Sequence, residues 1–203
     1  MMQAATMTPE TSTFKDLLVK RAPFLVSIAL AIVIADQWTK YLAVKHLTHS
    51  FAEQTDWQRF VSGNHPVPRN GVVVVDGMWD FTYVENPGAA WGLLSRANEK
   101  FRAPFFIVVS IVASFLILNY YVRSPEALKM RRWALALVFG GAIGNFIDRI
   151  RLGYVIDFID WHMKDSYHWP TFNVADAAIS IGVVLLLIES FVYKEKKEDT
   201  KKA

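Results

Sequence analysis

The chain of 203 residues contains no cysteine, which excludes disulfide bonds, a thiol nucleophile, thiolate metal ligands and S-acylation. It also lacks an HExxH motif, and His46 and His49, one turn apart at the end of an apolar segment, have no third ligand beside them in the sequence. The sequence therefore predicts no metal site and no organic cofactor. Any catalysis would have to use oxygen or nitrogen groups.

Apolar residues dominate the composition, with 53% hydrophobic and 14% aromatic residues. A helix of about 20 residues crosses the roughly 30 Å of a bilayer's hydrocarbon core. We therefore predict an all-α integral membrane protein, a single membrane domain over residues 1–203. The four predicted spans are 22–47, 103–122, 133–150 and 174–193.

The distribution of lysine and arginine predicts the orientation of these spans. If the N-terminus is cytoplasmic, the inner segments 1–21, 123–132 and 194–203 hold 12 basic residues in 41 positions, whereas the outer segments 48–102 and 151–172 hold 7 in 77. The positive-inside rule favours this arrangement, with both termini in the cytoplasm. Because the basic residues follow membrane topology, the net charge of +3 does not indicate nucleic-acid binding.

The first outer segment, 48–102, contains a predicted β-platform. Residues 71–84 are rich in β-branched and aromatic side chains around the turn signal Asp76-Gly77, which predicts a hairpin. Residues 48–70 are polar with two prolines near their end, and indicate an irregular or partly helical insertion. The second outer segment, 151–172, is expected to be a short loop.

Polar residues gather near the predicted outer ends of the spans. Ionisable groups at membrane depth are costly, so they normally face the interior of the bundle and mark a functional site. The residues concerned are Asp36, Asn145, Asp148, Arg149, Asp157, Asn173 and Asp176.

Asp157 and Asp176 are the candidate catalytic pair, because a short outer loop can bring them together. Two carboxylates in a low-dielectric cleft cannot both ionise easily and can share one proton, as in aspartyl proteases. Residue types alone leave two structural alternatives open: a salt-bridged pair, or two interfacial charges.

Four motifs occur in order along the chain: DQWTK (36–40), ENPGAAWG (85–92), GAIGNFIDRIRLGYVIDFID (141–160) and FNVADAAI (172–179). Together they resemble the lipoprotein signal peptidases, the bacterial signal peptidase II family, over about residues 22–192. The resemblance implies an aspartyl endopeptidase with Asp157 and Asp176 as its catalytic dyad. It also implies a diacylglyceryl-modified prolipoprotein substrate, cut before the lipidated cysteine.

The resemblance also implies roles for five supporting residues, each of which could instead be purely structural. Asn145 and Arg149, four apart on one helical face, match polar residues near the substrate backbone. Asn173 could hold the Asp176 carboxylate. Asn86 and Gly88 match an Asn-x-Gly turn, in which the asparagine would reach the substrate and the glycine would allow a tight backbone.

Three further polar residues are predicted to be structural. Asp36 and Lys40, at i and i+4 on the first span, are expected to form an intramembrane ion pair that fixes packing. Asp148 is expected to pair with a neighbouring arginine.

The sequence departs from the family pattern in two places. The segment 48–70 is longer than usual, and Glu85 stands where the family often has a basic residue. Neither departure removes a catalytic position, but both leave the contacts with substrate open.

The principal alternative is a proton-coupled transporter with the buried acids as a relay, although no inverted repeat is visible in the sequence. A serine–lysine signal peptidase is a weaker alternative, because no serine near Lys40 has a recognisable nucleophile context. The family resemblance further implies a monomer in the bacterial inner membrane, surrounded by lipid, with its active site toward the periplasmic face.

Overall fold

The structure is a computed structural model that describes residues 13–48, 56–63, 71–88, 94, 98–164 and 166–202. Helices make up most of the described chain, and four short strands form one antiparallel sheet. In chain order the elements are α1 (Phe14–Leu47), α2 (Asp56–Ser62), β1 (Val72–Val75), β2 (Trp79–Asn86), α3 (Glu99–Arg123), α4 (Lys129–Leu152), β3 (Val155–Met163), β4 (Tyr167–His168) and α5 (Val174–Lys202).

Four helices are long and apolar enough to cross a membrane, which confirms the predicted fold class. Their span-forming parts are Phe14–Leu47, Lys100–Arg123, Lys129–Leu152 and Val174–Tyr193. α1 begins eight residues before the predicted span, because Thr13 and Asp16 form a capping box. The Thr13 hydroxyl accepts a hydrogen bond from the backbone N–H of Asp16, while the Asp16 carboxylate accepts one from the N–H of Thr13.

Helix α4 lies at the centre of the bundle and packs against α1, α3 and α5. Two glycines allow α1 to approach it closely. A Cβ atom at Gly140 would lie 3.0 Å from the Cα of Ala29, and one at Gly144 would lie 2.7 Å from Oδ2 of Asp36. The small residues of this GxxxG pattern therefore bring the backbones of two spans together.

The outward surface of the bundle is apolar. On α1 it presents Val26, Leu30, Ile34 and Trp38, each more than half exposed and spaced four residues apart. A water-soluble protein rarely exposes such a continuous apolar stripe. The surface matches a helix that faces lipid.

The predicted hairpin is present as β1 and β2, with Gly77 in the left-handed conformation at the turn. The expectation of a plain loop over 151–172 is wrong, because this segment contains β3 and β4. The sheet has the order β1-β2-β3-β4 and is antiparallel throughout. Strand β3 pairs with β2 along most of its length, so the two outer segments form one platform.

The platform is fastened to the end of α1 by an apolar cluster that includes Val44, Phe60, Tyr83, Ile156 and Phe158. Phe60 belongs to α2, inside the segment predicted to be an insertion, and only 1% of its surface is exposed. The described part of that segment is therefore helical and docked. Residues 49–55 and 64–70 lie outside the described residues.

The bundle has two chemically distinct ends. At the end opposite the sheet, Arg21 of α1 donates hydrogen bonds to the carbonyls of Val122 and Ser124. Arg131 of α4 forms an ion pair with Glu189 of α5 at 2.9 Å. The sheet and most of the buried carboxylates lie at the other end.

Candidate active site

The position of Asp157 depends on how α4 ends. Gly153 caps the helix in the left-handed conformation (φ 79°), and its N–H donates to the carbonyl of Arg149. The chain then enters β3, where Asp157 lies opposite Val84 and is 1% exposed. Asp157 was expected near the outer end of the third span, just after the helix. The structure places it on strand β3.

Asp176 lies in the first turn of α5, where Asn173 caps the helix. The side-chain oxygen of Asn173 accepts a hydrogen bond from the N–H of Asp176 at 2.9 Å. A weaker contact of 3.4 Å runs from the N–H of Asn173 to Oδ2 of Asp176. The helix N-terminus favours negative charge at this position, and the carboxylate is only partly buried.

Two asparagines connect the aspartates. Nδ2 of Asn173 donates to Oδ1 of Asp157 at 2.7 Å, and Nδ2 of Asn145 donates to Oδ1 of Asp176 at 2.7 Å. The two amides also contact each other, with Nδ2 of Asn173 lying 3.1 Å from Oδ1 of Asn145. The pair predicted from sequence is thus brought together by residues that sequence analysis had placed near it.

Asn86, the last residue of β2, contacts Asp157 directly. Its Nδ2 lies 3.0 Å from Oδ2 of Asp157, and its Oδ1 accepts a hydrogen bond from the N–H of Gly88. Arg149 donates to the carbonyl of Gly88 at 3.3 Å and lies over the ring of Phe106. Arg149 therefore holds the loop that follows β2.

Burial, and to a lesser extent the nearby Asp176 carboxylate, raise the pKa of Asp157 to about 7. The amides of Asn86 and Asn173 act in the opposite direction, because they donate hydrogen bonds to the ionised form. Burial has the larger effect. Asp157 is therefore partly protonated near neutral pH.

A buried ion triad lies behind the aspartates. Nζ of Lys40 lies 2.8 Å from Oδ2 of Asp36 and 2.8 Å from Oδ2 of Asp148, and all three side chains are fully buried. The expected contact between Asp36 and Lys40 is present. Asp148 does have an arginine neighbour, Arg151 at 3.6 Å, but its closer partner is Lys40.

The triad is connected to the candidate dyad. Nζ of Lys40 donates to Oδ1 of Asn145 at 3.1 Å, and Asn145 in turn contacts Asp176. Asp36 and Asp148 also accept hydrogen bonds from the backbone N–H groups of Ala175 and Ile156, each of which neighbours a candidate catalytic residue. Sequence spacing could not reveal this connection, since Lys40 and Asn145 are 105 positions apart.

A cleft of about 830 Å³ opens beside the two aspartates. Its polar lining includes Asn86, Asn145 and Arg149. Its apolar lining comes from the sheet, from the segment between the sheet and α5, and from α5 itself, and includes Val84, Trp161, Trp169, Phe172, Ile179 and Ile181. The cleft is of a size that accommodates an extended peptide or an acyl chain beside its polar groups.

Glu85 also lines the cleft and accepts a hydrogen bond from the hydroxyl of Tyr83 at 3.1 Å. The departure from the family pattern therefore places an acidic group at the mouth of the site. Burial raises the pKa of Tyr83 well above its usual value, so this phenol stays neutral and serves as a donor.

Gln37 also contributes to the buried triad, although its role was not predicted from the sequence. Its side-chain amide nitrogen, Nε2, donates a hydrogen bond to Oδ1 of Asp148 at 2.9 Å and lies 3.2 Å from Oδ2 of Asp36. The signal was its place beside Asp36 in the DQWTK motif. A group of Asp160, His162 and His168 on the sheet was not predicted either, and its only signal was the alternation of Asp160 and His162 along one strand.

These features define a class: a multi-pass membrane protein whose polar cleft is built where the helices meet a small sheet. A sequence model of the family described as signal peptidase (SPase) II matches residues 28–192. The chain belongs to the signal peptidase II family. It is accordingly a membrane-embedded protease.

Known relatives agree with this assignment. The chain is 43% identical to a lipoprotein signal peptidase of Anaeromyxobacter sp. (strain Fw109-5), covering 83% of this chain and 87% of that protein. It is 39% identical to a lipoprotein signal peptidase of Syntrophus aciditrophicus (strain SB), covering 86% and 95%.

A solved bacterial membrane enzyme, determined by the in meso method at 2.3 Å resolution, has a similar fold. It is 28% identical to this chain, covering 86% of this chain and 92% of its own, with a TM-score of 0.68.

Proposed function

We propose that the protein removes the signal peptide from diacylglyceryl-modified prolipoproteins by cutting before the lipidated cysteine, with Asp157 and Asp176 as its catalytic dyad. The observation that carries this proposal is the placement of the two carboxylates in one cleft, joined by Asn173. The names of the relatives support the substrate class. The transporter alternative has no comparable support.

The surroundings of the two aspartates suit them to different catalytic roles. Asp157 is buried and its pKa is raised to about 7, so it holds the shared proton. Asp176 lies at a helix N-terminus, which stabilises a carboxylate, and it accepts a hydrogen bond from Asn145. Asp176 is therefore the general base and Asp157 the general acid.

Hydrolysis then follows with balanced protons. Asp176 takes a proton from water as the water oxygen attacks the scissile carbonyl, and Asp157 gives its proton to the carbonyl oxygen. In the resulting gem-diol, Asp176 passes its proton to the leaving nitrogen while Asp157 recovers one from a hydroxyl. The C–N bond breaks, a carboxyl group and an amine are released, and the dyad returns to its starting state.

Substrate lipid would occupy the apolar part of the cleft. Ile179 and Ile181 of α5 lie on the same element as Asp176, so an acyl chain beside them would hold the scissile bond at the depth of the dyad. The polar side chain of Asn86 is already engaged by Asp157, and we propose that it positions this carboxylate in addition to contacting the peptide.

The experiment compares lipidated and unlipidated versions of one prolipoprotein with the purified protein in detergent. We expect cleavage of the lipidated form, with the cut mapped by mass spectrometry to the bond before the modified cysteine. The unlipidated form should be cut at least about 100-fold more slowly, because it loses the contacts that orient the bond. Equal rates would contradict the role of the lipid, and a different cleavage position would contradict the proposed specificity.

A further inference from the structure

A second group of ligand-type side chains lies on the sheet, outside the catalytic cleft. It consists of Asp160 and His162 on β3 and His168 on β4. One ligand atom from each side chain can be chosen so that all three lie within 4.8 Å of one another. Oδ1 of Asp160 and Nδ1 of His168 are 3.5 Å apart.

The pairing of the strands brings these residues together. Side chains two positions apart on a strand point to the same face, so Asp160 and His162 share one side of β3. His168 is the cross-strand partner of His162 and therefore faces the same way. Trp161, between the first two, points to the opposite face and lines the catalytic cleft.

The distance between two of the three ligand atoms fits a tetrahedral transition-metal ion. Bonds of about 2.0–2.1 Å from zinc to nitrogen or oxygen place adjacent ligand atoms about 3.3 Å apart. The distance of 3.5 Å between the Asp160 and His168 atoms is close to that edge. Two imidazoles with a carboxylate suit zinc-type ions, whereas calcium and magnesium prefer ligand sets made of oxygen.

The surroundings add further negative charge. A pocket of about 260 Å³ beside the histidines is lined by Asp76 and Asp80 as well as by His162 and His168. Asp80 is the cross-strand partner of Asp160. Lys164 also lines this pocket, and its positive charge disfavours a bound cation. Its side chain is exposed, however, and the carboxylates of Asp76, Asp80 and Asp160 outnumber it.

Two polar atoms in this region are buried without a hydrogen-bond partner in the part of the chain that the structure describes. They are Oδ1 of Asp80 and Nδ1 of His162. Buried polar atoms are normally satisfied, and no protein group in the described chain is the partner of either atom. A cation between the strands would provide that partner.

We propose that Asp160, His162 and His168 bind a divalent transition-metal ion of the zinc type, with Asp80 available as a fourth ligand. The ion would connect β4 to β3 and fix the hairpin that carries Trp161 and Trp169 at the cleft. It would be a structural ion, since the two aspartates of the proposed dyad line a different pocket.

The test uses the full chain purified without a polyhistidine tag, stripped with chelator and titrated with ZnCl₂ by isothermal calorimetry. We expect saturable binding of one ion. His168→Gln and His162→Gln should each weaken the affinity by at least about tenfold, because each removes a ligand. His46→Gln, which changes an exposed histidine on α1, is the matched control and should bind as the wild type does.

A second measurement follows thermal unfolding. Excess ZnCl₂ should raise the Tm of the wild type and of His46→Gln, and should raise it much less for His168→Gln. His168 is more than half exposed at the end of the sheet, so this variant should fold, and circular dichroism of the metal-free protein checks that it does. Absence of saturable binding by the wild type, or equal weakening by His46→Gln, would overturn the proposal. Neither readout requires cleavage, so failure here leaves the proposed peptidase function untouched.

Discussion

The side-chain nitrogen of Asn173 lies 2.7 Å from Oδ1 of Asp157, while the side-chain oxygen of the same residue caps the helix that carries Asp176. A single amide thus fixes one carboxylate on a strand relative to another on a helix. The nitrogen positions Asp157 and the oxygen caps α5, and substitutions of Asn173 can separate these two functions.

We expect Asn173→Ser and Asn173→Ala to lose activity to a similar extent but to differ in stability. Serine retains a helix cap, whereas alanine loses it at a cost of about 1 kcal/mol. Alanine has no donor, and the serine hydroxyl is one bond closer to the backbone than the Asn173 amide nitrogen and does not reach Asp157. We therefore expect kcat to fall about 100-fold in both, as when a reacting group is misplaced. Full activity of Asn173→Ser would show that the cap alone is required.

The pH dependence of cleavage should report the proton on Asp157. Because its pKa is raised to about 7, the group is protonated below that pH, and kcat/KM should fall as the pH rises through about 7. Asn86 stabilises the ionised form by donating a hydrogen bond. Asn86→Ala should therefore raise the pKa of Asp157. The fall of kcat/KM on the alkaline side should move to higher pH, whatever the substitution does to the maximal rate. An unmoved fall, or a shift to lower pH, would contradict the assignment of the proton.

The buried triad should matter more to stability than an exposed ion pair. Lys40→Met leaves Asp36 and Asp148 fully buried without their shared cation, and we expect a loss of about 3–5 kcal/mol in the free energy of unfolding. Lys20→Met removes an ion pair to Glu126 whose side chains are 69% and 48% exposed, and should cost far less stability, because water screens exposed charges. Unfolding of both variants in detergent compares them, and equal losses would contradict the structural role of the triad.

Sequence patterns predicted the spans and the first hairpin because both signals are local. Apolar runs of about 20 residues identify spans, and Asp76-Gly77 between β-forming residues identifies a turn. Strand β3 was missed because its main partner, β2, ends about 70 residues earlier, and no local pattern reports such a pairing. The place of Asp157 on a strand was missed for the same reason.

In the candidate site, too, the sequence predicted the residues but not their long-range contacts. The motifs indicated Asp157, Asp176 and Asn173 as residue types in one region, but their hydrogen bonds depend on the angle between β3 and α5. The partner of Asp148 was expected among nearby arginines, whereas the closer cation, Lys40, comes from another helix. Long-range pairing of charges is set by helix packing, which a single sequence does not specify.

The side of the membrane on which the cleft opens can be tested with single cysteines, because the chain has none of its own. Ser166, at the sheet, and Ala127, between α3 and α4, are both exposed and lie at opposite ends of the bundle. Ala127 is preferred to Ser124, which lies in the same segment between α3 and α4, because Ser124 is only 1% exposed and a cysteine there would react poorly from either side of the membrane.

In intact spheroplasts, an impermeant thiol reagent should label Ser166→Cys and leave Ala127→Cys unlabelled, with both labelled after lysis as the control. This result follows from the bias of basic residues toward the end opposite the sheet. The reverse pattern would place the cleft on the cytoplasmic face, out of reach of exported prolipoproteins.

In the proposed mechanism Asp157 and Asp176 perform the hydrolysis together, and single-turnover cleavage of a lipidated prolipoprotein by purified variants measures whether both are required. Asp157→Asn and Asp176→Asn should each lower the rate at least about 1000-fold while retaining the wild-type circular dichroism spectrum, because one carboxylate cannot serve as both acid and base. Glu126→Gln, which neutralises an exposed acid at the opposite end of the bundle, should cleave at the wild-type rate. Turnover near the wild-type rate in either aspartate variant would show that Asp157 and Asp176 are not a catalytic dyad.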